Sequence, residues 1–206
     1  APYIQSRRAE YYHVFCKDLV EKGLAYPCFC TAEEIAELRA RQEEKGITPG
    51  YWGEDAKCRD LTLEQIEENL KAGKPYVMRM RSPGKPGDRV KYKDGIRGDI
   101  EMEENFADVV LLKSDGIPTY HFAHAIDDHF MRTTLVLRGE EWLSSLPIHI
   151  ELFKIGLVIR DPLVQIFKSG GEDVARTAVT GHKVIVLGLI LVHVIKDHGN
   201  AIGQVG

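Results

Sequence analysis

The chain has 206 residues, of which 44% are hydrophobic and 28% are charged, an ordinary composition for a soluble globular protein of one large domain or two small ones. A formal net charge of −4 excludes a global basic field, so any contact with a nucleic acid must depend on a local patch. The charged N-terminus and the short longest apolar run, residues 184–195, indicate neither a signal peptide nor a membrane span, and we expect a cytoplasmic protein.

Helical patterns dominate the first third of the chain. Apolar residues recur at helical spacing over residues 7–21. Thr31 followed by Glu34 is the pattern of a capping box, in which the side chain of each residue binds the backbone N–H of the other, and it predicts a helix over residues 32–44. The same pattern beginning at Thr62 predicts a second, shorter helix.

Strand patterns follow the helices. Apolar and basic residues alternate over residues 76–81, and residues 90–103 contain two short strand patterns around an Asp-Gly turn. Residues 108–123 predict a hairpin, residues 133–139 predict a further strand, and Pro147 is suited to the first turn of a helix. Helices, then strands, then a strand followed by a helix indicate an α/β protein with an α+β insertion.

Six collinear segments between residues 2 and 154 point to one family: PYIQS, LVEKGLAYPCFCTAEEIAELR, KCRDLT, AGKPYVMRMR, ADVVLLKSDGIPTYHFAHAIDDHFM and VLRGEEWLSSLPIHIELF. Together they resemble bacterial glutamyl-tRNA synthetase, a class I aminoacyl-tRNA synthetase. The resemblance implies part of a Rossmann-type catalytic domain, interrupted by a connective-peptide insertion that grips the tRNA acceptor end. It assigns residues 1–25 to the end of the first Rossmann half, 26–118 to the insertion and 119–154 to the start of the second half. Residues 155–206 stay unassigned, as a strand-rich apolar tail.

The activity that the resemblance implies is glutamate-tRNA ligation. ATP with Mg would activate glutamate as an adenylate, and a terminal hydroxyl of the tRNA would then take the glutamyl group. The family's catalysis uses a His-x-Gly-His motif and a Lys-Met-Ser-Lys-Ser loop, and this sequence contains neither, so we expect the chain alone to be inactive. Two hypotheses stay open: a piece of a glutamate-tRNA ligase, and a non-catalytic tRNA-binding module or folded synthetase remnant. A homo-oligomer formed through an open sheet edge is a further expectation.

The residues implied to bind the small substrates lie in a dense polar stretch, residues 116–142. By the resemblance, Tyr120 lies beside bound glutamate, His124 occupies a substrate-facing position four residues later, and Arg138 binds the substrate carboxylate. A guanidinium group suits that role because it can donate two parallel hydrogen bonds to a carboxylate. Glu141 and Trp142 match positions near the adenylate. Taken without the family, Tyr120 would be a core or edge tyrosine and Trp142 a packing residue.

Other polar residues in the same stretch have a simpler interpretation. Asp127, Asp128 and His129 could form a metal or acid–base cluster, but they are consecutive, so we favour capping and turn hydrogen bonds. His121 and His124 are three positions apart without a third convergent ligand, and we predict no metal there.

Three cysteines, Cys28, Cys30 and Cys58, have a spacing that suits tetrahedral zinc. Cys28 and Cys30 are too close in sequence to bridge each other, which favours reduced thiols or a metal over a secreted disulfide framework. Some members of the family carry zinc at corresponding cysteines and others lack it. The fourth ligand is open between Asp60 and Tyr51, and Asp60 could equally begin the turn that caps the following helix.

Basic residues are concentrated in the predicted hairpin region, where phosphates would be attracted without sequence preference. By the resemblance this patch positions the tRNA acceptor stem; the alternative is a solvated surface of mixed charge, because acidic residues surround it. We expect tRNA contacts from Arg79, Arg81, Lys91 and Lys93, with Lys85, Arg89 and Arg97 nearby.

Overall fold

The computed structural model describes residues 4–156. These residues form five α-helices, five strands and three short 3-10 helices, at Gln5–Arg7, Gly53–Asp55 and Glu140–Ser145. The helices are α1 (Ala9–Glu21), α2 (Ala32–Glu44), α3 (Leu63–Lys71), α4 (Tyr120–Met131) and α5 (Leu146–Gly156). The strands are β1 (Ala25–Cys28), β2 (Val77–Met80), β3 (Arg89–Asp94), β4 (Gly98–Glu103) and β5 (Val110–Leu112).

The three predicted N-terminal helices are confirmed. In α2, Thr31 Oγ1 accepts a hydrogen bond from Glu34 N at 3.2 Å while Glu34 Oε2 accepts one from Thr31 N at 2.9 Å. Thr62 and Gln65 make the same reciprocal pair at the start of α3. Each cap satisfies two backbone donors that the helix itself leaves unpaired, which stabilises a helix end by about 1 kcal/mol. α1 begins two residues later than predicted, because residues 5–7 form a separate 3-10 turn.

Both sheets within residues 4–156 are antiparallel. One has the order β1-β2-β5, with β2 in the centre, and the other is the β3-β4 hairpin, in which Arg89 pairs with Glu103 and Asp94 with Gly98. The alternating pattern of residues 90–103 therefore predicted the hairpin correctly. The parallel pairing that a Rossmann half would contribute does not occur among these described strands.

The main core lies between the three-stranded sheet and helices α1, α4 and α5. Its most buried side chains include Tyr12, Met80, Leu111, Ile126 and Leu152. A second apolar cluster, containing Cys28, Cys58 and Tyr51, lies on the other side of β1 beside α2. The second cluster places the thiols of the predicted metal site in a common interior.

The prediction of a hairpin over residues 108–123 is wrong in its second half. The turn is present, since Gly116 N donates to Lys113 O at 2.9 Å, but it leads through a single bridge between Leu112 and Pro118 directly into α4. Phe122, Ala123 and Ile126 are buried at helical spacing, and this one-sided burial favours a helix over a strand. Tyr120 is therefore the first residue of a helix rather than a strand residue.

The strand predicted over residues 133–139 is absent too. No strand within residues 4–156 pairs with this segment, and Leu135 and Leu137 are 72% and 80% exposed. A strand is stabilised by backbone hydrogen bonds to a neighbouring strand. This segment has no such neighbour among the described strands, so it is irregular. Pro147 does lie in the first turn of a helix, α5, as predicted. The predicted strand-rich tail, residues 155–206, lies outside the described residues apart from its first two, which end α5.

Candidate functional site

Four side chains that the resemblance assigned to substrates lie together at the start of α4. Tyr120 and His124 are one helical turn apart, and their rings are parallel within 7°, with centroids separated by 5.9 Å. The Arg138 guanidinium lies 5.5 Å from the ring centroids of both Tyr120 and Trp142, and these two rings are 4.9 Å apart. We call Tyr120, His124, Arg138 and Trp142 the arginine cluster. Its rings hold the cation in a partly enclosed position.

Arg138 has unused hydrogen-bonding capacity in the arginine cluster. Its Nη2 lies 2.8 Å from His124 Nε2 and 2.9 Å from His124 Nδ1. Its Nη1 is buried and has no hydrogen-bond partner among the described residues. A buried donor without a partner costs free energy, and a carboxylate is the group whose geometry satisfies a guanidinium fork.

His149, in α5, belongs to the same site and was missed in the sequence. Only 4% of it is exposed, its Nε2 lies 2.8 Å from His121 Nδ1, and its ring centroid is 4.7 Å from that of His124. Burial, together with the charges of neighbouring imidazoles and Arg138, lowers the pKa of His121 and lowers that of His149 to about 3. Both imidazoles are thus neutral at pH 7. The signal was present, since Ile148, His149 and Leu152 have helical spacing, but only the folded chain brings α5 to α4.

Glu141 lies apart from these contacts. It is exposed on the 3-10 helix Glu140–Ser145, and its carboxylate lies against Gly139. Trp142, on the same short helix, is 37% exposed. Of the two residues predicted to lie near the adenylate, Trp142 therefore belongs to the arginine cluster, whereas the carboxylate of Glu141 lies beside the cluster.

The three predicted metal-ligating thiols converge. The Sγ atoms of Cys28, Cys30 and Cys58 lie within 4.8 Å of one another, and Tyr51 Oη lies 3.3 Å from Cys30 Sγ. The hydrogen bond from Cys58 holds the pKa of the Cys28 thiol well below its usual value, and the same bond raises the pKa of Cys58. Three converging thiols, one of which loses its proton readily, suit a soft metal ion such as zinc.

Asp60, the other candidate for the fourth ligand, is placed elsewhere. Its side chain is 86% exposed and its Oδ1 lies 3.0 Å from Arg81 Nη1. The metal-like group in the described residues contains the three cysteines without it. Tyr51 supplies the oxygen atom that lies at the thiols. Its Oη also accepts a hydrogen bond from Cys58 N at 2.9 Å. Asp60 instead forms an ion pair near the start of α3.

Two of the four predicted tRNA-binding residues have internal roles. Arg79 is 9% exposed, donates from Nη1 to Asp108 O at 2.9 Å, and lies 4.2 Å from the Tyr51 ring centroid. Arg81 pairs with Asp60 and donates from Nη2 to Arg59 O. Both arginines lie on or beside β2, the central strand, where both faces are covered. The alternation of apolar and basic residues over residues 76–81 therefore does not mark a strand face whose basic side chains are open to solvent.

The other two predicted tRNA-binding residues lie on the exposed hairpin. The Lys91 side chain is 78% exposed and its Nζ lies 3.3 Å from Glu101 Oε2, and Lys93 is exposed. Arg89 contacts the same Glu101 carboxylate at 3.1 Å, and these two cations lower the pKa of Glu101. The hairpin surface is thus of mixed charge, with lysine amines that solvent reaches.

Helices α1 and α2, the longest within residues 4–156, have 13 residues each, which is too short for a membrane span.

Comparisons with known proteins agree on one family. The family model described as tRNA synthetases class I (E and Q), catalytic domain, matches residues 1–168. A glutamate-tRNA ligase of Clostridium beijerinckii is 60% identical over 154 residues, and one of Clostridium perfringens is 57% identical over 155 residues; each alignment covers 75% of this chain and 28% of the relative. A crystal structure of a glutamate tRNA ligase from Elizabethkingia meningosepticum in complex with its amino acid matches with a TM-score of 0.67 and 38% identity, over 75% of this chain and 32% of that one.

The chain thus spans about 28% of the length of these curated relatives. Their alignments cover 154 and 155 residues, and the family model extends to residue 168. These relatives are glutamate-tRNA ligases by name. The chain belongs to the class I tRNA synthetases, in the glutamate-tRNA ligase family.

Proposed function

We propose that this chain supplies the glutamate-binding part and the tRNA acceptor-binding part of a glutamate-tRNA ligase. The observation that carries the proposal is the buried, unpartnered Nη1 of Arg138 between two aromatic rings. The reaction would be ATP-dependent activation of glutamate followed by its transfer to tRNA, with ATP and Mg as a substrate. The names of the relatives support this assignment.

In this proposal, Tyr120, His124 and Arg138 bind glutamate. Arg138 donates to a substrate carboxylate. The neutral imidazoles of His121 and His149 lie beside the site and add no charge that competes with Arg138. Because the site is partly enclosed, the charge-assisted hydrogen bonds are stronger there than in water. Glu141 and Trp142 would lie on the adenylate side, where the indole offers a stacking surface.

We further propose that residues 26–118 form the connective-peptide insertion, between the end of the first Rossmann half (1–25) and the start of the second (119–154). The capped helices α2 and α3 and the β3-β4 hairpin lie within this range and contribute no buried residue to the main core, which supports an insertion. The tRNA contacts within it are assigned to Lys91 and Lys93, since solvent reaches both side chains.

Zinc is proposed as a structural ion of this insertion. Cys28, Cys30 and Cys58 offer three thiolates and Tyr51 Oη the fourth donor, which fits the preference of zinc for four tetrahedral ligands rich in sulfur. The ion would stabilise the apolar cluster between β1 and α2 and takes no part in glutamate activation.

Binding of L-glutamate to the purified chain, followed by isothermal titration calorimetry, tests the proposal. We expect binding that Arg138→Ala weakens on the order of tenfold to a hundredfold, because a charged hydrogen-bond partner is lost. Lys71→Ala removes an exposed cation from α3 and is the matched control, with unchanged affinity. Equal affinity of the Arg138→Ala variant and the unmodified chain would contradict the assignment.

A second candidate function is that of a non-catalytic tRNA-binding module. The exposed β3-β4 hairpin is the observation that supports it. The lysine amines of β3 need no substrate pocket to contact phosphates. Salt-dependent tRNA binding without any glutamate binding would select this candidate.

A further inference from the structure

The position of Arg138 depends on side-chain contacts rather than on a backbone ladder. Residues 133–139 form no strand and have no strand partner within the described chain. The contacts that hold the guanidinium are the rings of Tyr120 and Trp142 and the imidazole of His124. Of these, only the imidazole makes a directional hydrogen bond, so the orientation of the guanidinium plane depends on His124.

His124 is held on its other side by Asp128. His124 Nδ1 lies 3.0 Å from Asp128 Oδ2, one turn further along α4. The side chains of His124 and Asp128 are 8% and 19% exposed, so bulk water competes little for this contact. The carboxylate, imidazole and guanidinium therefore form a continuous chain from α4 to the irregular segment.

This series of contacts between Asp128, His124 and Arg138 determines which nitrogen of His124 carries the proton. A carboxylate only accepts hydrogen bonds, so the Nδ1 facing Asp128 must carry hydrogen. A guanidinium only donates, so the nitrogen that binds Arg138 must have a lone pair. Arg138 Nη2 lies at nearly the same distance from both ring nitrogens, 2.8 Å from Nε2 and 2.9 Å from Nδ1, so the contact with Asp128 decides between them. The Nδ1–H tautomer satisfies Asp128 and leaves the lone pair of Nε2 to accept from Arg138. In the opposite tautomer the lone pair of Nδ1 would face the carboxylate of Asp128, so that two acceptors would oppose each other.

Asp128 is itself fixed by the turn after α4. Arg132 has a left-handed backbone, with φ of 53°, and it turns the chain so that Thr133 N donates to Asp128 O at 3.0 Å. Thr133 Oγ1 then donates to Asp128 Oδ1 at 3.2 Å. Burial alone would raise the pKa of Asp128, but the hydrogen bonds and charges of His124, Thr133 and Arg138 together outweigh burial, so the pKa lies below its usual value. The carboxylate is thus charged and has little freedom to turn away.

We propose that Asp128 is a positioning residue: through the Nδ1–H tautomer of His124, it orients Arg138 for the substrate carboxylate. The inference rests on the proposed role of Arg138 in binding glutamate. It differs from the helix-capping role that the sequence favoured for Asp128, because capping would act on the backbone and would leave the tautomer of His124 unaffected.

The first test is the tautomer itself, from long-range ¹H–¹⁵N spectra of the ¹⁵N-histidine-labelled chain, which assign the protonated nitrogen directly. We expect Nδ1–H for His124, and a change to Nε2–H in Asp128→Asn, whose amide can donate to Nδ1. Asp127→Asn is the matched control: its carboxylate binds Tyr12 Oη at 2.8 Å, and the His124 tautomer should not change. An Nε2–H tautomer in the unmodified chain overturns the inference, and this spectrum alone decides the question if Asp128→Asn does not fold.

The second test is a double-mutant cycle for L-glutamate binding. Asp128→Asn should weaken binding about tenfold when residue 124 is histidine. It should have almost no effect in a His124→Asn background, because an amide oxygen accepts from Arg138 without needing a tautomer. Equal losses in both backgrounds would overturn the positioning role. If the unmodified chain binds no glutamate, the proposed function fails, whereas the tautomer spectra still decide how His124 is held.

Discussion

The buried carboxyl of Glu151 accepts a 2.5 Å hydrogen bond from the hydroxyl of Ser82, which lies 69 residues earlier in the chain. Asn105 Nδ2 donates to the other oxygen of the same carboxyl. Glu151 lies in α5, whereas Ser82 and Asn105 follow β2 and β4. This contact therefore joins the proposed second Rossmann half to the proposed insertion through a group that can titrate.

The first prediction is a pH dependence caused by Glu151. Its partners Ser82 and Asn105 are neutral, and burial raises the pKa of Glu151 to about 7 from 4.5. The folded state therefore binds the proton more tightly than the unfolded state, so this stabilisation is present below pH 4.5 and is lost as the pH rises to 7. Glu151→Gln should reduce this loss of stability with rising pH by up to about 3 kcal/mol. Urea unfolding at pH 5 and pH 8 measures it.

Glutamine suits this position because its amide can donate to Ser82 and accept from Asn105. Glu67→Gln, which changes a carboxylate paired with Lys71 on α3, is the control and should keep the slope of the unmodified chain. An equal slope in Glu151→Gln and the unmodified chain would show that Glu151 does not carry the pH dependence.

A second prediction concerns Gly84, which follows Ser82 in the same connection. A Cβ at Gly84 would overlap the backbone oxygen of Asn105, so Gly84→Ala should lower the free energy of unfolding by about 2 kcal/mol. Gly95→Ala is the matched control, because a Cβ there meets nothing within 4 Å. Chemical denaturation of both variants measures the difference, and equal losses would contradict the close approach.

Local signals in the sequence were sufficient for helices α1, α2 and α3 and for the β3-β4 hairpin, but not for α4. The capping boxes at Thr31 and Thr62 and the alternation in β3 and β4 depend on residues within a few positions of one another. Such short-range patterns need no knowledge of the rest of the fold.

The candidate site depended more on tertiary contacts. The sequence favours capping and turn hydrogen bonds for Asp128, and only the helix over Tyr120–Met131 places it one turn from His124. His149 was missed because α5 meets α4 only in the folded chain. Arg79 was predicted to face solvent, since nothing local indicates that β2 is the central strand.

The third prediction tests the thiol site. Elemental analysis of the purified chain should find one zinc per chain, and Cys58→Ser should lose it. Asp60→Asn should keep a full equivalent, because Asp60 is exposed and paired with Arg81. Tyr51→Phe should weaken zinc binding on the order of tenfold or more. Loss of zinc in Asp60→Asn with retention in Tyr51→Phe would reverse the assignment of the fourth ligand.

The fourth prediction concerns tRNA. Fluorescence anisotropy over a salt series should give a linear fall of log affinity with log salt, and Lys91→Ala combined with Lys93→Ala should reduce the slope by about 2. Arg79→Ala should instead destabilise the fold, since Arg79 contacts Asp108 O inside the protein. A slope unchanged by the double lysine variant would remove the hairpin from the interface.

Glutamate charging by a chimera tests the central claim most directly. The 154 residues of the Clostridium beijerinckii ligase that align with this chain would be replaced by the residues of this chain, and attachment of labelled glutamate to tRNA would be measured. We expect a charging enzyme, in which Arg138→Ala lowers kcat/KM on the order of a hundredfold. A folded chimera that charges no tRNA, or charges equally well with Arg138→Ala, would contradict the claim that this chain supplies the glutamate site.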